Sequence, residues 1–334
     1  LDAPGADKKL LDMRNSTAKK RGEESALTFA ARYGHVKMCR LLLERGIDME
    51  HELDTKGYWT SLHRACANGH TETASLLLRK EPRLLPQRQK KSCITALMAA
   101  ATAGYTETVI LLLDQPLYQG GRDSLRDVNS EGEHALWLAA AHGNEETVSV
   151  LAKHDPGSID LVAKGSMGAF PPTSGEGGGG DESGGGAKTA AATNASKQGG
   201  IAVPQPTTAL MAAAYFGHAG VVRALHAAKA DLSQFSEPNL EVKDALLLAT
   251  RDGHLPVVRL LTAANKGRGR LGEAKALAEK LLAEHGDGPR HEQYAQILKL
   301  IQKPTMRRNR TNSRIAREIG KQRSKDGMTE GDQR

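Results

Sequence analysis

The chain has 334 residues, of which 39% are hydrophobic and 4% aromatic, and it carries a net charge of +7. A single large core normally draws on aromatic side chains, so this composition favours many thin helical layers that pack through Ala and Leu. No run approaches the roughly 18 apolar residues of a membrane-spanning helix, so we expect no membrane partner. Three cysteines, an odd number in a chain too long to need disulfides, indicate reduced thiols and an intracellular protein, cytoplasmic or nuclear.

Residues 1–23 form a basic polar lead-in. Lys8-Lys9 and Lys19-Lys20-Arg21 fall within it, and so polar a segment predicts disorder. The chain starts at Leu1 and not at a methionine, so we expect a fragment or a processed product.

One short segment then recurs six times. In its most regular copy, residues 95–113, Thr95 can cap one helix, Gly104 lets the chain leave that helix, and residues 109–113 carry the apolar stripe of a second helix. Because so small a helix pair cannot bury its own apolar face, the copies must stack. Each copy has an anchor leucine seven residues before a glycine, and these glycines are Gly34, Gly69, Gly104, Gly143, Gly217 and Gly253.

These copies resemble ankyrin repeats, whose period is about 33 residues and whose first helix opens with a T-P-L-H-x-A signature. Ala or Ser replaces the signature Pro, and among the copies His63 alone keeps the signature His. The resemblance implies an all-α fold, an ankyrin-repeat solenoid of helix-turn-helix repeats with short β-hairpin fingers. We expect Gly57 and Gly132 at finger turns, repeats one to four at 24–165, and repeats five and six at 204–264.

The step from Gly143 to Gly217 is much longer than one period. Residues 166–203 are rich in Gly, Ser and Pro and have no helical apolar stripe, so we expect a disordered Gly-rich insertion in the hairpin between repeats four and five. A longer loop there adds only about 0.6 kcal/mol per doubling of its length. The solenoid either continues across the insertion or is hinged at it.

The repeat pattern degrades after residue 264. Residues 265–302 carry two further helical stripes, but Glu279 stands where the repeats have their anchor leucine. We interpret them as a degenerate helical capping repeat. Residues 303–334 form a basic disordered tail whose ten Lys/Arg against four Asp/Glu account for six of the seven net positive charges.

We expect no catalytic, cofactor or metal site. The stretch 267–272 matches a dinucleotide fingerprint but follows a helix, and 184–189 resembles a phosphate-binding loop but lies in low-complexity sequence. The histidines that follow repeat glycines are expected to bond nearby backbone, and Cys39, Cys66 and Cys93 to serve as small packing residues.

Ankyrin resemblance implies that partners bind along the finger tips and the inner face of the first helices. The two residues before each glycine are free of the packing constraint there, and Trp137 is expected to pack between repeats. Aromatic and Arg side chains suit binding hot spots. For the aromatic pair in repeat five, packing against neighbours is an equally weighted alternative. The candidate partner-binding residues are Arg32, Tyr33, Asn68, His142, Tyr215, Phe216 and Arg251.

The basic tail is the other candidate site. We favour a solvated tail over a short basic helix or a nuclear-import or nucleic-acid patch, because such basic runs are most often simply solvated. With no aromatic residue to stack on bases, any contact with nucleic acid would be made by charge to its backbone. Its candidate residues are Arg307, Arg308, Arg310, Arg314 and Arg317.

The sequence thus favours a non-enzymatic scaffold or adaptor that binds a protein partner of unknown identity. Two alternatives stay open. One is the accessory region of a larger signalling enzyme, for example a kinase, whose catalytic domain lies outside this chain. The other is a nuclear or nucleic-acid-associated regulator that acts through the tail.

Overall fold

A computed structural model describes residues 25–47, 59–89, 91–119, 125–163, 207–232, 244–264, 270–284 and 289–302. The chain divides into two compact units, Leu1–Gly269 and Arg270–Arg334, which are described separately here.

The described residues of the first unit form six helix pairs, as expected from the six sequence copies. The first helices of the pairs have seven or eight residues: α1 Ala26–Arg32, α3 Ser61–Ala67, α5 Ala96–Ala103, α8 Ala135–Ala141, α10 Ala209–Phe216 and α12 Ala245–Arg251. The second helices have eight to ten: α2 Val36–Glu44, α4 Thr71–Lys80, α6 Thr106–Leu113, α9 Glu145–His154, α11 Ala219–Ala227 and α13 Leu255–Ala264. A short helix α7, Pro116–Gln119, and two 3-10 turns, Pro82–Leu84 and Pro156–Ser158, lie in the connections.

Each first helix begins at a side-chain cap. The Thr95 hydroxyl accepts a hydrogen bond from the Met98 N–H at 3.2 Å, as predicted. Such a cap satisfies one of the backbone N–H groups that the first turn leaves without an intrahelical partner. The equivalent caps are Ser25, Thr60, His134, Thr208 and Asp244.

Each helix pair turns at its repeat glycine. All six glycines have φ between +70° and +81°, a left-handed conformation that side chains disfavour. The prediction for these positions is therefore confirmed, and the second helix begins two residues after each glycine.

The helices form two layers. The first helices pack in a row in chain order, and the second helices do the same. Alanines such as Ala65, Ala100 and Ala140 are fully buried in the first helices, because small side chains let neighbouring helices approach closely. All six anchor leucines are buried.

The packing continues across the long insertion. Helices α8 and α10 pack against each other, as do α9 and α11, in the way that other neighbouring repeats do. Strand β1, Val162–Ala163, pairs antiparallel with β2, Thr207–Thr208. Trp137 is fully buried, which confirms its predicted packing, and its indole N–H donates to the Thr207 hydroxyl at 3.1 Å. Repeats four and five are thus joined at the base of the hairpin that carries residues 164–206, which lie outside the described residues.

The fingers also contact one another. The Ser130 N–H donates to the Ser92 carbonyl at 2.9 Å, which links the fingers before repeats three and four. Gly132 lies in a turn at φ +75°, as predicted, whereas Gly57 lies outside the described residues. Cys93 differs from its expected packing role. Cys39 and Cys66 are buried, but Cys93 is half-buried in a finger turn with φ +53°.

The second unit contains α14, Leu271–Glu284, and α15, Pro289–Gln302, which pack as a hairpin. Both helices have 14 residues and are longer than those of the repeats. Glu279, which stands at the position of the anchor leucine, is exposed and forms an ion pair with Lys275 at 3.6 Å. Unlike the anchor leucines, it is not part of a core. The capping role of this hairpin stays a prediction.

Candidate partner-binding surface

The C-terminal ends of the first helices follow one another along the row of packed helices. We call this edge the first-helix rim. Ala141 is buried, whereas the other rim residues are half-buried or exposed. The rim consists of the pairs Arg32-Tyr33, Ala67-Asn68, Thr102-Ala103, Ala141-His142, Tyr215-Phe216 and Arg251-Asp252.

The rim backbone is held by the following repeat. The His70 Nε2–H donates to the Arg32 carbonyl at 2.9 Å, and the His254 Nε2–H donates to the Tyr215 carbonyl at 2.8 Å. Burial lowers the pKa of His70. The same contact recurs where His218 donates to the Ala141 carbonyl at 3.0 Å, and where the Asn144 amide donates to the Ala101 and Thr102 carbonyls at 2.8 and 2.9 Å.

These contacts confirm the predicted backbone bonds of three of the four histidines, His70, His218 and His254, but the backbone belongs to the preceding repeat. His35, in the first described repeat, instead stacks on Tyr33 with ring centroids 6.2 Å apart. Each of these hydrogen bonds fixes the backbone of a rim pair to the next repeat. The rim would therefore lose less conformational entropy when it binds a partner.

Three predicted residues come together at repeats five and six. The rings of Tyr215 and Phe216 meet edge to face at 4.9 Å, and the guanidinium of Arg251 lies 5.3 Å from the Tyr215 ring centroid. Arg251 also donates to both carboxylate oxygens of Asp252, at 3.3 and 3.0 Å. Burial raises the pKa of the Tyr215 phenol. We call Tyr215, Phe216, Arg251 and Asp252 the distal cluster, and its side chains are fixed by mutual contacts while half-buried or exposed.

A second aromatic group lies at repeat one. The guanidinium of Arg32 lies 5.6 Å from the centroid of the Tyr33 ring, which is 46% exposed. Phe29 joins this group at 4.8 Å from Tyr33. Sequence reasoning missed Phe29, although its position five residues before Gly34 is held by Ala or Leu in four of the other copies.

The other two candidates fold back on their own helices. The Asn68 amide donates to the Arg64 carbonyl at 2.8 Å, and the His142 Nδ1–H donates to the Leu138 carbonyl at 2.8 Å. Burial lowers the pKa of His142. These contacts hold both side chains close to the helix and make them weaker candidates than the aromatic groups.

The tail candidates all lie outside the described residues. Among the residues that are described, no helix is long and apolar enough to cross a membrane. Within the same ranges, no group of three His, Cys, Asp or Glu side chains could hold a metal ion.

Six stacked helix pairs with left-handed glycine turns define a helix-turn-helix repeat solenoid. The family model for ankyrin repeats (3 copies) matches residues 5–85 and 81–164. The chain is also similar to the crystal structure of the human ASB11 ankyrin repeat domain, with a TM-score of 0.56 and 21% identity over 84% of this chain and 99% of that one. At this identity the likeness concerns the fold alone. A search of curated proteins gave no match.

The chain is therefore an ankyrin-repeat protein. Repeats of this family generally mediate protein–protein interaction and are typically non-catalytic.

Proposed function

We propose that this chain is a non-enzymatic scaffold or adaptor that binds a protein partner along the first-helix rim. The observation that carries the proposal is the distal cluster. It combines two aromatic rings with an Arg–Asp pair, on a backbone that His254 holds from the next repeat.

The chemistry of this cluster suits a binding hot spot. Tyr, Trp and Arg dominate such sites because they offer large, rigid contact areas. Arg251 and Asp252 already orient each other, so a partner would meet a prearranged donor and acceptor beside the rings. The opposite end of the rim offers Tyr33 and Arg32 in a similar arrangement.

The test is affinity capture with the full chain as bait, followed by identification of the retained proteins. The variant Tyr215→Ala/Phe216→Ala should lose at least about 90% of a specific partner, since removing a hot-spot residue weakens binding by 2 kcal/mol or more. Ile110→Ala is the matched control, because Ile110 is 44% exposed on second helix α6, away from the rim.

Thermal unfolding of each variant separates lost binding from lost folding. Equal capture by the wild type, the rim variant and the control would remove the distal cluster from the binding site. Removal of residues 303–334 in parallel tests the tail: if capture is lost only in that variant, the tail and not the rim carries the function.

A further inference from the structure

A groove lies between the second helices of repeats five and six. It has a volume of about 260 Å³, and all the residues that line it belong to α11 and α13. Among them, Val222 and Leu261 are buried and Leu260 and Ala264 are half-buried, so the base of the groove is apolar. We call it the outer groove, because it lies in the layer of second helices and not on the first-helix rim.

The sequence explains why the groove is open here. The tenth and eleventh residues after the repeat glycine are Ala263 and Ala264 in repeat six, and repeat five also has two alanines there. Because alanine ends at Cβ, the surface between α11 and α13 stays uncovered where longer side chains would fill it. Repeats two to four carry such side chains at these positions, namely Arg79-Lys80, Asp114-Gln115 and Lys153-His154.

Basic side chains border the groove. Arg223 and His226 line it and are exposed, and Arg259 stands at the position of Arg223 one repeat later. Neither α11 nor α13 contains Asp or Glu, whereas each of the other four second helices contains at least one Glu. The carboxylate of Glu145 on α9 lies 3.8 Å from the Arg223 guanidinium, but an exposed ion pair of this kind contributes little and is easily displaced by a partner.

These features fit one class of occupant. A volume of about 260 Å³ is smaller than the roughly 300–1,000 Å³ of small-molecule sites, and it suits one or two apolar side chains. The apolar surface is recessed between two helices, so it can receive side chains but offers none for insertion into a lipid bilayer. The basic border favours carboxylates next to the side chains that enter, since complementary charge guides and orients a partner.

We propose that the outer groove binds a short acidic segment of a partner protein, in which one or two large apolar side chains are flanked by Asp or Glu. The apolar side chains pack on Val222 and Leu261, and the carboxylates pair with Arg223 and Arg259. This inference is independent of the proposed rim site. The two surfaces lie in different helix layers, so the chain can hold two partners at once.

A fluorescent peptide, Glu-Glu-Ala-Leu-Ala-Ala-Phe-Ala-Glu-Glu, tests the groove by anisotropy with the full chain. Its Leu and Phe lie three residues apart, on one face of a helix. We expect saturable binding. Two control peptides should bind at least about tenfold more weakly: one has Gln in place of every Glu, and the other has Ala in place of Leu and Phe.

Two substitutions in the chain separate the charge from the groove. Arg223→Gln should weaken binding of the peptide by about fivefold, the upper range for an exposed ion pair. Arg40→Gln is the matched control, because Arg40 is exposed at the same position of repeat one, and it should have no effect. Ala264→Lys should weaken binding at least about tenfold although it adds a positive charge, because its side chain fills the groove. Lys80 stands at this position in repeat two, so the repeat accepts a lysine there.

Equal binding of the acidic peptide and its Gln counterpart, or no saturable binding of the acidic peptide to the wild type, would overturn the proposal. It would equally fail if Tyr215→Ala/Phe216→Ala abolished binding of the peptide, since the peptide would then occupy the rim. Unchanged binding in that variant supports a separate site, whatever the result of capture at the rim. Retention by phosphatidylserine vesicles that Arg223→Gln abolishes, without binding of the peptide, would assign this surface to a membrane instead.

Discussion

At the scale of single residues, threonine hydroxyls link the second helices of repeats two, three and four. Thr71 pairs with Thr108, and Thr106 pairs with Thr147, through their hydroxyls. Repeat one has Val36 at the position that Thr71 and Thr106 occupy in repeats two and three, so it offers no hydroxyl to Thr73. The hydroxyl of Thr73 is consequently fully buried with no hydrogen-bond partner among the described residues.

Thr73→Val should stabilise the protein by about 1 kcal/mol, because a buried hydroxyl without a partner costs about 1–3 kcal/mol and valine keeps the same shape. Urea denaturation measures the change. Thr108→Val is the matched control, since that buried hydroxyl is bonded, and it should be destabilising. Equal losses in the two variants would show that Thr73 has a partner after all.

His63 links repeat two to the finger of repeat three. Its Nε2–H donates to the Ile94 carbonyl at 3.0 Å, and its Nδ1 lies 2.8 Å from the Thr60 hydroxyl. Burial lowers the pKa of His63 to about 4. The unfolded chain therefore binds a proton below pH 6.5 that the folded chain does not bind until about pH 4.

Because the folded pKa is the lower one, stability should fall as the pH drops from 6.5 towards 4. For His63 alone the loss between pH 7.5 and pH 5 is of the order of 2 kcal/mol. Urea denaturation of the wild type and His63→Gln at both pH values measures it. The variant should lose about 2 kcal/mol less than the wild type over this interval, and parallel losses would contradict the assignment.

At the scale of the elements, the turn between the two helices of a repeat has two tasks. The glycine adopts the left-handed conformation that the turn needs. Because it has no side chain, it also leaves space for a side chain of the next repeat, the one that directly follows that repeat's own glycine. A Cβ on Gly34 would lie 2.5 Å from Nδ1 of His70, the ring that holds the Arg32 carbonyl. The same glycine therefore serves both the turn within its repeat and the contact with the next repeat.

Gly34→Ala and Gly46→Ala separate these two tasks within one repeat. Both glycines have φ near +70°, so both substitutions incur the left-handed penalty of about 1–2 kcal/mol. A Cβ on Gly46 meets nothing within 4 Å, whereas one on Gly34 must displace the His70 ring. Gly34→Ala should therefore be the more destabilising by at least about 1 kcal/mol, the value of the lost hydrogen bond. Equal denaturation midpoints would show that the ring moves aside without loss.

The elements were largely predictable from the sequence because their signals are local. The anchor leucines, the Thr95 cap and the left-handed glycines each depend on residues within one repeat. The partner of His254 was not predictable, because the spacing within a repeat does not show which neighbouring carbonyl the ring reaches. Phe29 was missed for a related reason: its exposure depends on what precedes repeat one. The rim pairs were identified from family resemblance, and their role as a binding site stays a prediction.

At the scale of the whole first unit, the long insertion interrupts the sequence but not the packing. Repeats four and five contact each other through both helix layers, the β1–β2 pair and the Trp137–Thr207 hydrogen bond. Residues 164–206 leave and rejoin the array between Ala163 and Thr207, which are partners in the strand pair. The two blocks of repeats are thus joined by the helix contacts that join other neighbouring repeats, and by the strand pair and the Trp137 hydrogen bond in addition.

Replacing residues 164–206 by a turn of four residues, all glycine or asparagine, should therefore preserve the array and raise its stability. The replaced segment has 43 residues (206 − 164 + 1), and each halving of a flexible loop recovers about 0.6 kcal/mol of closure entropy, so the gain should approach 2 kcal/mol. Urea denaturation measures the gain. Trp137→Phe in the shortened chain is the control: it removes the bond to Thr207 and should give back part of the gain, by about 1 kcal/mol. Unfolding in two separate transitions would show that the two blocks of repeats do not unfold as one unit. A lower urea midpoint than that of the wild type would contradict the predicted gain in stability.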